Sequence, residues 1–288
     1  MNASGRMQTF ATREFFQRVA SAVVLGAIVL GALVFGGWPF ALIWIAAGAV
    51  GANEWFAISR TSPVLALTLV NAVAIAATCA AILLNAPTWA VFGICGLAVV
   101  ALSALARGGV FARFNAVTGY IGGAVIALVP TLLREDPGIG LVGPAWMFAV
   151  VWSTDIIAYF TGRTIGGPKL MPRVSPKKTW SGALGGLVAG TLAGLAVVLV
   201  ARGSGWSAFA AMPLVAIALA SAAASIVSQA GDLYESSLKR RYGVKDSGRS
   251  IPGHGGVMDR LDGFFAVSLL VGLYLVLHAI LARTALPA

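Results

Sequence analysis

The sequence carries little charge. Of its 288 residues, 10% are charged and 59% are hydrophobic, and the mean hydropathy is +0.89. A water-soluble domain of this length would carry about 25% charged residues. This deficit excludes an ordinary soluble domain. Apolar runs of about 20 residues predict instead an all-α, polytopic integral membrane protein.

Cysteine is scarce as well. Cys79 and Cys95 both lie inside apolar runs, so they are interpreted as small hydrophobic side chains rather than as a disulfide or a metal site. The basic residues, which give a net charge of +10, are scattered between apolar runs and form no basic soluble domain. Nucleic-acid binding is therefore not expected.

Nine apolar runs are candidates for transmembrane helices, and glycine, proline and asparagine mark the breaks between them. The runs lie at about 19–36, 39–58, 63–84, 88–106, 115–133, 144–162, 182–201, 208–230 and 263–282. The pattern divides the chain into residues 1–140, with about five spans, and residues 141–288, with about four spans. The second region also contains two charged loops, 163–180 and 232–262.

The basic residues are distributed unequally between the two sides of the membrane. If the N-terminus is cytoplasmic, 17 of the 20 Lys and Arg fall on the cytoplasmic side, and Arg134, Arg202 and Arg283 fall on the other. The positive-inside rule then predicts a cytoplasmic N-terminus and an external C-terminus. The same basic face would attract anionic lipid headgroups.

The seventh run contains a glycine ladder at four-residue spacing, formed by Gly182, Gly186, Gly190 and Gly194. Such a stripe allows a neighbouring helix to approach closely, and this packing is the favoured interpretation. The alternative is a smooth groove for lipid or substrate along the same face.

The segment from Asp232 to Asp262 holds 11 of the 30 charged residues. Inserting one charge at the centre of the bilayer costs roughly 2.5–3.5 kcal/mol. We therefore expect most of this segment at or beyond the membrane surface, where it is long enough to build a site.

Acidic residues at three span ends indicate a cation site. Asp155 lies inside the sixth apolar run, and an acid within the membrane is a functional candidate by default. Asp232 follows the eighth run. Asp259 and Asp262 are three residues apart at the start of the ninth, so they share one helix face. Hard divalent cations prefer such oxygen ligands, although Asp259 and Asp262 also fit simple capping of a helix start.

Two features beside these acids suit phosphate. The Pro-Gly-His-Gly-Gly turn at 252–256 exposes backbone N–H groups next to a helix N-terminus, which is a natural anion-binding arrangement. The loop 163–180 carries five bases, which would bind phosphate oxygens or would simply be solvated positive-inside charge. Together with the acids, they favour metal-assisted phosphoryl or nucleotidyl transfer at the membrane surface.

One long segment resembles a known family. Residues 236–262, SSLKRRYGVKDSGRSIPGHGGVMDRLD, are similar to the C-terminal motif of phosphatidate cytidylyltransferases, also called CDP-diacylglycerol synthases. SPKKTW at 175–180 and GDLYES at 231–236 also resemble family segments, so the resemblance covers roughly residues 153–265. Two positions depart from the family pattern: Ile156 stands where Thr is frequent, and Ser181 where Glu is frequent.

The resemblance implies that CTP and phosphatidate are converted to CDP-diacylglycerol and pyrophosphate, with Mg²⁺ as cofactor and a second cation allowed. The metal ligands would be Asp232 and Asp259, with Asp155 and Asp262 as support or secondary ligands. The catalytic set would be Asp232, Lys245, Asp246, Asp259 and Asp262. The substrate-binding set would be Ser175, Lys177, Lys178, Thr179, Lys239, Arg240, Arg249, His254, Gly255, Gly256 and Arg260.

The same resemblance implies a bacterial inner-membrane enzyme with its active site on the cytoplasmic face, and it is compatible with a homodimer. Two other functions stay open. One is a related CTP-dependent enzyme, either a polyprenol-type kinase or a cytidylyltransferase for another lipid. The other is a transporter with a cytoplasmic anion site, which would predict inverted repeats that the sequence does not display.

Overall fold

The structure, a computed structural model, describes residues 23–205, 212–251 and 255–284. Within these ranges the chain forms helices joined by short connections and one small hairpin. The helices are α1 (Val23–Phe35), α2 (Gly37–Ile58), α3 (Val64–Leu83), α4 (Thr88–Leu105), α5 (Val110–Glu135), α6 (Val142–Thr164), α7 (Trp180–Gly203), α8 (Leu214–Arg241) and α9 (Met258–Thr284).

Eight of these helices, α2 to α9, are long and apolar enough to cross a membrane. A helix rises 1.5 Å per residue, so about 20 residues span the hydrocarbon layer. The described part of α1 is apolar but shorter. The prediction of an all-α polytopic membrane protein is confirmed, while nine crossings and the orientation of the termini stay predictions.

The charged segment 232–262 is more helical than its composition indicates. Of the apolar run predicted at 208–230, residues 214–230 belong to α8, which continues through the charged residues to Arg241, and α9 already begins at Met258. The apolar run ends where the charged residues begin, but the helix continues through them. Three basic residues in the last turn of α8 interact favourably with the negative end of the helix dipole. The connecting loop is therefore reduced to residues 242–257.

The predicted loop 163–180 contains a β-hairpin. Strand β1 (Lys169–Met171) pairs antiparallel with β2 (Ser175–Thr179), with Lys169 opposite Thr179. The hairpin leads directly into α7, because the side chain of Thr179 accepts a hydrogen bond from the N–H of Gly182 and so caps that helix.

The glycine ladder is a packing surface. All four glycines are buried, and α7 packs on α6 and α8 along this face. A Cβ added to Gly186 would lie 2.8 Å from the carbonyl oxygen of Thr154, so a larger residue does not fit without movement. On the facing helices the hydroxyls of Thr154 and Ser225 lie 2.8 Å apart. The packing interpretation is confirmed.

Aromatic rings join the two regions of the chain in one core. Trp44 of α2 stacks on Phe264 of α9 with ring centroids 4.7 Å apart, and both rings contact Phe148 of α6. Helices from both predicted regions of the chain therefore pack in one core. Within it α2 contacts α9, the helix that carries Asp259 and Asp262 near its start.

At the end of the bundle away from the hairpin, α5 fastens the junction of α1 and α2. Arg134 donates to the carbonyl oxygens of Leu33 (2.8 Å) and Val34 (3.0 Å) at the end of α1. The neighbouring Glu135 accepts from the N–H of Gly37 at 2.9 Å. These contacts satisfy helix-terminal groups that would otherwise lack partners.

Candidate functional site

Three carboxylates from three helices form a cluster at the hairpin end of the bundle. They are Asp155 of α6, Asp232 of α8 and Asp262 of α9, and the charges of Asp155 and Asp262 both interact with that of Asp232. The packing of α6, α8 and α9 on one another brings the three acids together. We call these three residues the acid cluster.

The hairpin supplies a base to the acid cluster. Lys178 of β2 forms a salt bridge with Asp232, and its charge also acts on Asp155, as does the charge of Arg260. Ser236, one turn after Asp232 on α8, donates weakly to the same carboxylate at 3.4 Å. The site thus places basic and acidic groups side by side.

Asp259 has different surroundings. Its carboxylate accepts hydrogen bonds from Lys239 Nζ at 2.7 Å and from the backbone N–H groups of Ser247 and Gly256, both at 2.9 Å. Lys239 also pairs with the buried Glu235 at 2.7 Å. Asp259 and Lys239 therefore fasten the loop 242–257 to the ends of α8 and α9, which agrees with the capping alternative. Their metal and substrate contacts stay predictions.

The remaining predicted residues divide by exposure. Exposed side chains that can reach a ligand are Lys177, Arg240, Lys245, Asp246, Arg249 and Arg260. Ser175 is half-buried, and Thr179 is buried as the cap of α7. Gly255 has a φ of +90°, a backbone conformation that favours glycine, and Gly256 is buried. His254 lies outside the described residues.

The donor set fits a cation held jointly by protein and substrate. In the part of the chain that the structure describes, no three Asp, Glu, His or Cys side chains converge into a complete metal site. Mg²⁺ commonly binds one or two carboxylates and completes its shell with water and substrate phosphates. One or two carboxylates of the acid cluster, completed by water and substrate phosphates, would supply that sparse coordination.

The two departures from the family pattern lie beside the site. Ser181 donates a hydrogen bond to the carbonyl oxygen of Gly166, and its hydroxyl lies 3.0 Å from that of Thr179, so it stabilises the base of the hairpin. Ile156 is exposed next to Asp155 on α6. Neither departure removes a charged group from the acid cluster.

Sequence reasoning missed two buried acids. Glu235 of α8 was not assigned to the site, and it pairs with Lys239. Glu54 of α2 was not considered, although its carboxylate contacts the loop 242–257. Glu54 lies inside the second predicted span, and an acid within an apolar run is a signal that could have found it.

Comparison with known proteins settles the family. A sequence model described as Cytidylyltransferase family matches residues 16–278. The chain belongs to this family. The match extends well beyond residues 153–265, so the predicted extent of the similarity was too narrow; a single sequence exposes the charged motif but offers no way to recognise apolar helices as related.

Curated relatives of this cytidylyltransferase-family chain agree in description. The phosphatidate cytidylyltransferase of Brucella suis biovar 1 (strain 1330) is 41% identical over 274 residues, which cover 94% of this chain and 96% of the relative. The phosphatidate cytidylyltransferase of Bacillus subtilis (strain 168) is 41% identical over 135 residues, 47% of this chain and 48% of the relative. The resemblance deduced from residues 236–262 is confirmed.

Proposed function

We propose that the chain is a membrane nucleotidyltransferase that converts CTP and phosphatidate to CDP-diacylglycerol and pyrophosphate in phospholipid biosynthesis. The observation that carries the proposal is that the segment 236–262, which bears the family motif, folds beside the acid cluster and Lys178. Relatives with this activity in their description, one of them 41% identical over 94% of the chain, support the same substrates.

The reaction is a displacement at phosphorus. A phosphate oxygen of phosphatidate forms a bond to the α-phosphorus of CTP, and the bond from that phosphorus to the bridging oxygen of the β-phosphate breaks as pyrophosphate leaves. The attacking phosphate is already largely ionised near neutral pH, so no general base is required. Positioning and charge stabilisation then supply the catalysis.

The chain's own groups divide this work between acids and bases. One or two carboxylates of the acid cluster, Asp232 among them, would hold Mg²⁺, which when bound would neutralise charge on the triphosphate and on the departing pyrophosphate. The exposed bases Lys245 and Arg249 of the loop 242–257 bind phosphate oxygens. The ammonium group of Lys178 contacts Asp232 of the acid cluster, so it would lie next to a substrate phosphate bound at that cluster.

The protein is an integral membrane protein, and we place it in a bacterial inner membrane with this site facing the cytoplasm, where CTP is present. Phosphatidate then enters from the same membrane in which the helices lie. The positive-inside distribution of Lys and Arg supports this orientation. Anionic lipids at the basic face and a homodimer are further expectations.

The test uses purified protein in lipid–detergent micelles with phosphatidate, Mg²⁺ and CTP labelled on either the α- or the γ-phosphate. We expect the α-label in CDP-diacylglycerol and the γ-label in pyrophosphate. A γ-label transferred to lipid would establish a kinase instead. Turnover with a polyprenyl phosphate but not with phosphatidate would reassign the lipid, and no product from folded protein would exclude the proposal.

A further inference from the structure

Glu54 is a buried carboxylate from the N-terminal half of the chain that contacts the C-terminal loop. Its residue is 3% exposed. Oε1 accepts hydrogen bonds from Ser250 Oγ (2.6 Å) and the N–H of Val257 (2.9 Å). Oε2 accepts from Ser247 Oγ (2.8 Å) and the N–H of Met258 (2.9 Å). Each oxygen therefore receives one hydroxyl and one backbone amide.

Two of these donors belong to the start of α9. The N–H groups in the first turn of a helix have no partner within the helix, and an acceptor from a Ser, Thr, Asp or Asn close by in sequence usually satisfies them. Here the acceptor comes from α2, about 200 residues earlier in the chain. Its negative charge is also favourable at the positive end of the α9 dipole.

The loop backbone closes around this carboxylate. A Cβ added to Gly248 would lie 2.7 Å from Glu54 Oε1, and one added to Gly256 would collide with Ser247 Oγ and lie 2.5 Å from Glu54 Oε2. Side chains at these two positions would push the loop off the carboxylate. The second glycine of the Gly-Gly pair at 255–256 is thereby explained by its close contact with both Ser247 and Glu54.

A short path of hydrogen bonds leads from Glu54 to the charged site. Ser247, which donates its hydroxyl to Glu54, donates its backbone N–H to Asp259, and the N–H of Asp259 returns a bond to the Ser247 hydroxyl at 3.3 Å. Asp259 then contacts Lys239. The loop between these contacts carries the exposed Arg249.

We propose that Glu54 is a positioning residue for nucleotidyl transfer: it caps α9 from a distant helix and sets the place of the loop 242–257 and of Asp259. A carboxylate is an acceptor with about four lone-pair directions, and all are used here. Glu54 therefore touches neither substrate nor cation and acts through the loop. The inference rests on the proposed function of this site.

Glu54→Gln is the sharp substitution. A glutamine amide keeps one acceptor oxygen and replaces the other by an NH₂ donor. Because each carboxylate oxygen faces one backbone N–H, either orientation of the amide sets a donor against a donor. We expect kcat to fall roughly 10-fold or more, in proportion to the cost of an unsatisfied buried donor.

Glu135→Gln is the matched control, because Glu135 also accepts from a backbone N–H but lies at the opposite end of the bundle. Its kcat should equal that of the wild type. Hydrogen–deuterium exchange distinguishes a local loosening of the loop 242–257 from a general loss of stability. In Glu54→Gln, exchange should accelerate in peptides covering 242–258 while α3 and α4 exchange as in the wild type.

Ser250→Ala tests the same contact without the risk of misfolding, because Ser250 is exposed and loses one hydrogen bond. It should lower kcat about fivefold. Its effect should largely vanish in the Glu54→Gln background, because both changes act on one contact.

Wild-type kcat in folded Glu54→Gln, additive effects of the two substitutions, or exchange that accelerates throughout the bundle would each overturn the positioning role. Failure of the proposed function is distinguished from these outcomes, because the wild type would then form no CDP-diacylglycerol. The exchange measurement does not depend on the reaction.

Discussion

At the scale of single residues, the acids of the site differ in how fully their oxygens are occupied. Asp259 and Glu54 accept several short hydrogen bonds each from the loop and its neighbours. Asp232 has a salt bridge to Lys178 and one long hydrogen bond from Ser236. An acid with spare acceptor capacity can bind a cation, whereas a saturated one maintains structure.

Asp232→Asn is therefore expected to remove activity without loss of fold. Removing one ligand charge from the acid cluster should lower kcat at least about 100-fold, the upper range seen when groups supporting a metal are lost. The thermal unfolding midpoint without added Mg²⁺ should match the wild type. Near-normal turnover would remove Asp232 from the cation site.

Asp259→Asn is expected to lose both activity and stability. Lys239 would retain its ion pair with Glu235 but lose the one with residue 259. The NH₂ group of the asparagine amide would face the N–H of Ser247 or Gly256, so that two donors oppose each other. Such unsatisfied buried groups cost about 1–3 kcal/mol. Thermal unfolding in detergent, alongside Asp232→Asn, measures the difference. An unchanged midpoint would contradict the fastening role of Asp259.

At the scale of elements, the glycine face of α7 sets how closely α6 and α8 approach. Gly186→Ala should destabilise the bundle by about 1–3 kcal/mol, because the added methyl group meets the Thr154 carbonyl. Gly203→Ala on the same helix is the control, since nothing lies within 4 Å of its new Cβ. Equal unfolding midpoints for the two variants would contradict tight packing at Gly186.

The helices were predictable from sequence, but their charged ends were not. Apolar runs locate the membrane spans because a helix that crosses the bilayer must be apolar along its length. The extension of α8 to Arg241 depends instead on a contact between helices, the ion pair of Lys239 with Asp259 of α9. The hairpin at 169–179 was missed for a similar reason: its strands are three and five residues long and carry no hydrophobic alternation.

At the scale of the whole molecule, the predicted orientation can be tested with single cysteines. Arg113 and Ser204 are exposed at helix ends predicted to lie on opposite sides of the membrane. In intact cells, a membrane-impermeant maleimide should label Ser204→Cys at once and Arg113→Cys only after permeabilisation. The reverse pattern would invert the topology. The unmodified chain controls for Cys79 and Cys95.

The site as a whole was only partly predictable. Asp155, Asp232, Asp259 and Asp262 could be chosen as candidates because each acid stands inside or beside an apolar run, where charge is rare. The contact of Glu54 with Met258 joins residues 204 positions apart, and no local pattern encodes it. A core shared by Trp44, Phe148 and Phe264 is equally non-local.

The capping of α9 by α2 has a consequence for biosynthesis. The ribosome delivers α2 to the membrane long before α9, so the carboxylate of Glu54 must wait at the end of its span without the donors that later surround it. An unpartnered charge there is costly. Insertion of the last helix therefore supplies the backbone donors for an acid that entered with the second, and a chain interrupted before α9 would keep this carboxylate without them.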